Sequence, residues 1–207
     1  MKKLLLALAL TGLVACSQPA GYEEGMKARN RGDFVTALKV WRPLAEQGHA
    51  EAQYALGMMC FYGLGVQQSY TEAVTWYRLA AEQGYPKAQN HLGVMYLDGL
   101  EVARDHEEAV KLFRLAADQK FSIAVSNLGN MYEIGMVVKK NQIAAYALNS
   151  LAVAIDPNDE NSRNSFDNIK KKKLSTAEIE AAEVLEREME KPGNLLKALD
   201  AYLEKHQ

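Results

Sequence analysis

The chain has 207 residues, with 24 basic and 26 acidic side chains and a net charge of −2. No basic excess recommends a nucleic-acid partner. The length accommodates one continuous array of helices without a second domain.

Residues 1–15 read as an export signal rather than as part of the fold. Lys2 and Lys3 give a positive start, Leu4 to Leu10 an apolar core, and Leu13-Val14-Ala15-Cys16 a small-residue cleavage site. The apolar run is too short to span a bilayer as a helix. Residues 16–21 form a short tether. Without the signal, the chain keeps 22 basic and 26 acidic residues, a net of about −4. Residues 22–33 hold a capping helix, Tyr22 to Arg31, and a Gly32-Asp33 turn. Asp33 is placed to cap the next helix, Phe34 to Gln47.

From Phe34 the chain repeats every 36 residues without a gap, as 34–69, 70–105 and 106–141, and ten columns are identical in all three blocks. They include Ala37/Ala73/Ala109, Arg42/Arg78/Arg114, Gln47/Gln83/Gln119, Gly57/Gly93/Gly129 and Gly63/Gly99/Gly135. A period of this size marks a solenoid. Within 70–83 the apolar residues Ala73, Val74, Trp76, Tyr77, Ala80 and Ala81 share one helical face. Gly84 ends that helix in the left-handed conformation, and Pro86 suits the first turn of a second one. Each block is thus a helix–turn–helix hairpin that buries its apolar face against the next hairpin. The column Trp41/Tyr77/Phe113 keeps ring character while its identity varies, as a packing position does.

Residues 142–173 continue the period for one helix, with Ala145, Leu148, Leu151 and Ala152 in register, and then degrade. Asp156-Pro157-Asn158-Asp159 is a turn, and the polar helix after it turns only Phe166 and Ile169 inward. Lys170–Lys173 end that helix where cations favour its dipole, and contact with membrane phosphates is the functional alternative. Residues 174–207 read as the cap. Ser175 to Glu178 is a capping-box signal, and a last amphipathic helix follows Pro192-Gly193.

These columns resemble the Sel-1-like repeat family. The resemblance rests on A-x-x-W-Y-R-x-A-A-x-x-G from Ala73 to Gly84, A-x-x-x-L-G-x-M-Y-x-x-G from Ala88 to Gly99, and G-x-G-V from Gly63 to Val66. It implies an all-α, right-handed superhelical solenoid of tetratricopeptide-like hairpins. Its first helices would line a concave face that holds other proteins or peptides. The copies drift: Cys60 stands where Tyr96 and Tyr132 do, Lys120 where Gly48 and Gly84 do, and Glu101 and Val137 where Gly65 does. The third repeat's inter-helix turn therefore departs furthest from the pattern. Leu13 to Cys16 also resembles a bacterial lipobox. That implies cleavage before Cys16, lipidation of Cys16, and, with Ser17 following, sorting to the outer membrane facing the periplasm.

No chemistry-bearing constellation emerges. There is no S-x-x-K, H-E-x-x-H, C-x-x-C or P-loop sequence, and the four histidines lack ligand spacing, so no metal or cofactor is expected. Cys60 falls on a packed face and is expected to be buried and inert. One row invites two readings. Arg42, Arg78 and Arg114 recur on the first helices, each followed four residues later by Glu46, Glu82 or Asp118. They would either form an i,i+4 ion pair in every repeat or line a groove that grips carboxylates, with Lys39, Thr75 and Lys111 three residues before them. The expectation is a monomeric, non-catalytic scaffold, anchored at Cys16, with an unidentified protein or peptide as partner. A β-lactam- or peptidoglycan-active hydrolase, by analogy with cysteine-rich relatives, or a peptidoglycan-binding factor are the alternatives.

Overall fold

In the computed structural model, residues 20–172 and 174–206 are described. They form α1 (Ala20–Asn30), α2 (Phe34–Glu46), α3 (Ala50–Tyr62), α4 (Tyr70–Glu82), α5 (Pro86–Asp98), α6 (His106–Asp118), α7 (Ser122–Ile134), α8 (Gln142–Ile155), α9 (Glu160–Lys170), α10 (Thr176–Glu190) and α11 (Leu195–Lys205). Helices α1 to α9 each pack on their sequence neighbours, so the hairpins stack as an all-α right-handed solenoid. One row consists of the first helices α2, α4, α6 and α8; the second helices α3, α5, α7 and α9 form the other.

The period is written into the helix ends. Asp33, Ser69, Asp105 and Asn141, each 36 residues apart, accept from the backbone N–H three positions on and cap α2, α4, α6 and α8. A serine or asparagine cap of this kind contributes about 1 kcal/mol. Because three residue types share that column, identity alone conceals it. Ser175 and Glu178 complete a reciprocal capping box on α10.

The identical columns have distinct physical causes. A Cβ on Gly57 would sit 2.5 Å from the Tyr77 ring, and one on Gly93 would sit 2.7 Å from Phe113. A ring from the next repeat thus presses against bare backbone, and only glycine permits the approach. Gly25 in α1 receives Trp41 the same way, and the Trp41 indole N–H donates to the Tyr22 carbonyl at 3.1 Å. So α1 covers the edge of the first repeat. At the other end the ring column becomes Asn149, seated on Gly129. Fully buried, its amide accepts from Ser126 Oγ at 2.9 Å and donates to the Ala145 carbonyl at 3.0 Å.

The glutamine column stitches neighbours together. Gln83 Nε2 donates to Gln53 Oε1 at 2.7 Å, and Gln119 Nε2 to Gln89 Oε1 at 3.0 Å. Gln53 and Gln89, both buried, donate onward to the Ala45 and Ala81 carbonyls. Both buried glutamines thereby find partners for their oxygen and their nitrogen.

The drifted turns keep their geometry. Lys120, Glu101 and Val137 adopt φ of +57°, +54° and +65°, the left-handed conformation that glycine holds at Gly84 and Gly65. The third repeat's turn, at Lys120, therefore keeps the left-handed geometry against the preference of its residue. In α9, Ile169 is buried, Phe166 is half-buried against Tyr146, and Ser162 is buried as well, one more inward residue than the pattern indicated.

Helix α10 folds back on α8. Helix α11 then packs on α10 and also reaches α6, crossing onto the first-helix row.

Candidate functional site

The arginine row lies on the surface of the first helices. Arg42 and Arg78 are exposed, Lys39, Thr75 and Lys111 are exposed, and Arg114 keeps 27% of its side-chain exposure. None of the three arginines makes an ion pair with the acid four residues later among the described residues. The repeated i,i+4 pair is thus corrected: Arg78 and Arg114 reach toward the second helix of their own hairpins. Arg78 donates to the Tyr96 hydroxyl at 3.3 Å. Arg114 lies beside Tyr132, the equivalent tyrosine. Arg42 faces Cys60, which has no hydroxyl to offer.

The stripe is not uniformly basic. Thr75 turns its hydroxyl back to the Thr71 carbonyl of its own helix, and Lys111 pairs with Glu108 at 3.1 Å. Among the three arginines, Arg114 alone is held by a carboxylate among the described residues: Asp200 of α11 takes it through both oxygens, at 2.8 and 2.6 Å. A half-exposed pair of this kind contributes about 1 kcal/mol at most. Its geometry is still a two-pronged grip on one guanidinium nitrogen.

Apolar residues accompany the charges. Leu79 and Leu115, each one residue after an arginine, are 40% and 46% exposed. A cleft of about 240 Å³ between α4, α5 and α6 is lined by Arg78, Leu92, Tyr96, Lys111, Leu112 and Leu115, with Glu82 and Glu108 at its edge. A neighbouring cleft of about 380 Å³ on α6, lined by Val110, Arg114 and Leu115, is bounded by Leu196 of α11. On the other side of α11, a larger cleft of about 670 Å³ lies between α10 and α11, with Val184, Leu185, Ala198 and Tyr202 in its wall.

Sequence reasoning singled out the arginines and passed over Leu79, Leu115, Tyr96 and Asp200. The leucines could have been found as apolar residues one step round the helix from the buried face. Asp200 could not, since nothing local ties it to Arg114, 86 residues away.

Other candidates resolve as structure. Cys60 is buried, donates to Glu72 at 3.6 Å, and has its thiol pKa pushed up to about 11 by burial and by that carboxylate. A thiol so protonated is a poor nucleophile. Three lysines of the run are engaged: Lys170 pairs with Asp167 and sits over the Phe166 ring, Lys171 bonds Asn168, and Lys172 pairs with Glu133, while Lys173 lies outside the described residues. Among the described residues no cluster of three His, Cys, Asp or Glu could hold a metal ion, and no helix is long and apolar enough to cross a membrane. Cys16 lies outside the described residues.

Residues 50–85, 86–121 and 122–152 each match the Sel1 repeat family. These three units are Sel1 repeats. The family counts its unit from the second helix of one hairpin through the first helix of the next, so each match spans a joint between hairpins. Two solved structures carry the same architecture. A Sel1 repeat protein from Oxalobacter formigenes aligns at 27% identity and a TM-score of 0.64, over 73% of this chain and 61% of its own. The protein c5321, a protective antigen of uropathogenic Escherichia coli strains displaying an SLR fold, aligns at 27% identity and a TM-score of 0.69, over 90% of this chain and 43% of its own. The chain thus spans under two thirds of either. No curated protein matches it.

Proposed function

We propose that the chain is a non-catalytic interaction scaffold of the bacterial cell envelope that holds a protein or peptide along its first-helix row. Sel1 repeats generally mediate contact between proteins. The observation that carries the reading is the pairing of exposed Leu79 and Leu115 with Arg78, whose guanidinium has no carboxylate partner within ion-pair distance among the described residues. Apolar area next to an unsatisfied, weakly hydrated cation is the composition of a protein-binding surface, where arginine is enriched.

The anchor belongs to the same proposal. Cleavage after Ala15 and acylation of Cys16 place a monomeric scaffold on the outer membrane, facing the periplasm. Several acyl chains on one residue supply the multiple signals that stable anchoring requires. Metabolic labelling with a clickable fatty acid checks this: label lost in Cys16→Ala supports the anchor, and label retained removes it.

The groove is tested in living cells by placing a photocrosslinking amino acid at Leu79. One protein adduct that disappears in Arg78→Glu supports the reading. Crosslinks to murein fragments alone, or an adduct pattern indifferent to Arg78→Glu, would overturn it.

A further inference from the structure

Helix α11 sits on the row that the proposed function assigns to a partner. Two of its residues, Leu196 and Asp200, four apart and so on one helical face, meet α6 together. Leu196 bounds the cleft beside Val110 and Leu115, and Asp200 takes Arg114 by both oxygens. Its other face is spent on the core, where Leu195 and Leu199 are buried. The chain thus carries, at one end of its own row, a helix engaged through an aliphatic residue and a carboxylate.

One repeat earlier the same surface recurs without an occupant among the described residues. Val74, Arg78 and Leu79 stand where Val110, Arg114 and Leu115 stand, 36 residues on. Leu79 is about as exposed as Leu115, and Arg78 lacks the carboxylate that Arg114 has. The tyrosine hydroxyl at 3.3 Å leaves most of its donors unused, and five donors on a planar fork favour a two-pronged acid.

We propose that the partner segment is an amphipathic α-helix bearing an aliphatic residue and, four positions later, an aspartate or glutamate, which docks on α4 as α11 docks on α6. The proposal rests on the groove reading and names the occupant. The aliphatic side chain covers Leu79, and the carboxylate pairs with Arg78. Charge at the surface of α11 fits the same logic: Asp200, the charged residue that contacts the row, is acidic, whereas Lys197 and Lys205 line the opposite cleft.

The test uses the full chain and a fluorescent peptide with the sequence of residues 194–206, capped at both ends, followed by anisotropy. Three versions are compared: the native peptide, one with the aspartate equivalent to Asp200 changed to lysine, and one with helix-breaking prolines. The native peptide should bind, and Arg78→Glu should weaken it at least about tenfold, about 1.4 kcal/mol. The aspartate-to-lysine peptide should bind Arg78→Glu better than it binds the unmodified chain. Arg114→Glu, which strikes only the end already covered by α11, should leave the Arg78-dependent component in place. Binding equal for helical and proline-broken peptides, or insensitive to Arg78→Glu, would sink the helical acidic occupant. If the Leu79 crosslink in cells still depends on Arg78, the groove survives that failure and only the occupant's class falls. If both experiments fail, the groove falls with it.

Discussion

The most informative single residues are those that break the repeat. Val137 is β-branched and holds φ of +65°, a conformation that costs an L-residue about 1–2 kcal/mol. Its side chain is half exposed, so little packing compensates. Val137→Gly should raise stability by about 1 kcal/mol in urea unfolding, the equivalent Gly65 having shown that glycine suits the site. His91 is a second exception. It stands where its neighbours in the series are Ala55 and Asn127, packed against Tyr54 and Tyr77, with Lys87 one turn before it. Its Nδ1 lies 2.9 Å from the Lys87 carbonyl, which can only accept, so Nδ1 carries the proton. Burial lowers its pKa below the ordinary value; the hydrogen bond to the Lys87 carbonyl opposes the shift, and the Lys87 charge adds a smaller lowering. The unfolded chain therefore binds a proton that the folded chain refuses. Stability falls as the pH drops below the ordinary histidine range, and the loss levels off beneath the lowered folded value. Urea midpoints taken from about pH 7 to pH 5 should show this slope, and His91→Asn should flatten it.

At the scale of helices, the joint between hairpins is a ring lying on a glycine. Gly57→Ala would drive a methyl into the Tyr77 ring, which is fully buried and cannot retreat. The expected cost is about 1–3 kcal/mol, typical of overpacking. Combined with Tyr77→Ala, the loss should be smaller than the sum of the two singles, and a double-mutant cycle measures that coupling. These joints explain how far the sequence could be read. Where one residue meets its counterpart a fixed distance along the chain, as Gly57 meets Tyr77 or Ser69 meets Glu72, the period exposes the contact. The arginine row was visible for the same reason. Its partners were misjudged because the guanidinium is long enough to choose between its own helix and the next, and the choice depends on Tyr96 and Asp200, residues on other helices. The return of α11 onto α6 follows no period. It depends on the direction taken after Pro192-Gly193, where Gly193 holds φ of +65°.

For the whole molecule, the row of arginines is graded along its length. Arg114 is clamped by α11, Arg78 is steadied by a tyrosine hydroxyl, and Arg42 faces a buried thiol in place of that hydroxyl. Cys60→Tyr restores the missing member. It should leave the fold intact only if the ring finds room between α3 and α4, where the side chain is now fully packed. Circular dichroism and a urea midpoint read the result, and an overpacking loss of about 1–3 kcal/mol is expected.

The glutamine stitch and the ring on its glycine use the same atoms at successive joints, Gln83 to Gln53 and then Gln119 to Gln89, Tyr77 on Gly57 and then Phe113 on Gly93. Such joints are interchangeable parts. A second copy of residues 70–105 spliced after Asp105 would present matching surfaces both upstream and downstream. The longer chain should fold as cooperatively as the original and gain helical signal in proportion to the added unit. Nothing in the core sets how many hairpins there are. Within the described residues, α1 covers one edge of the stack and α10 packs on α8 at the other.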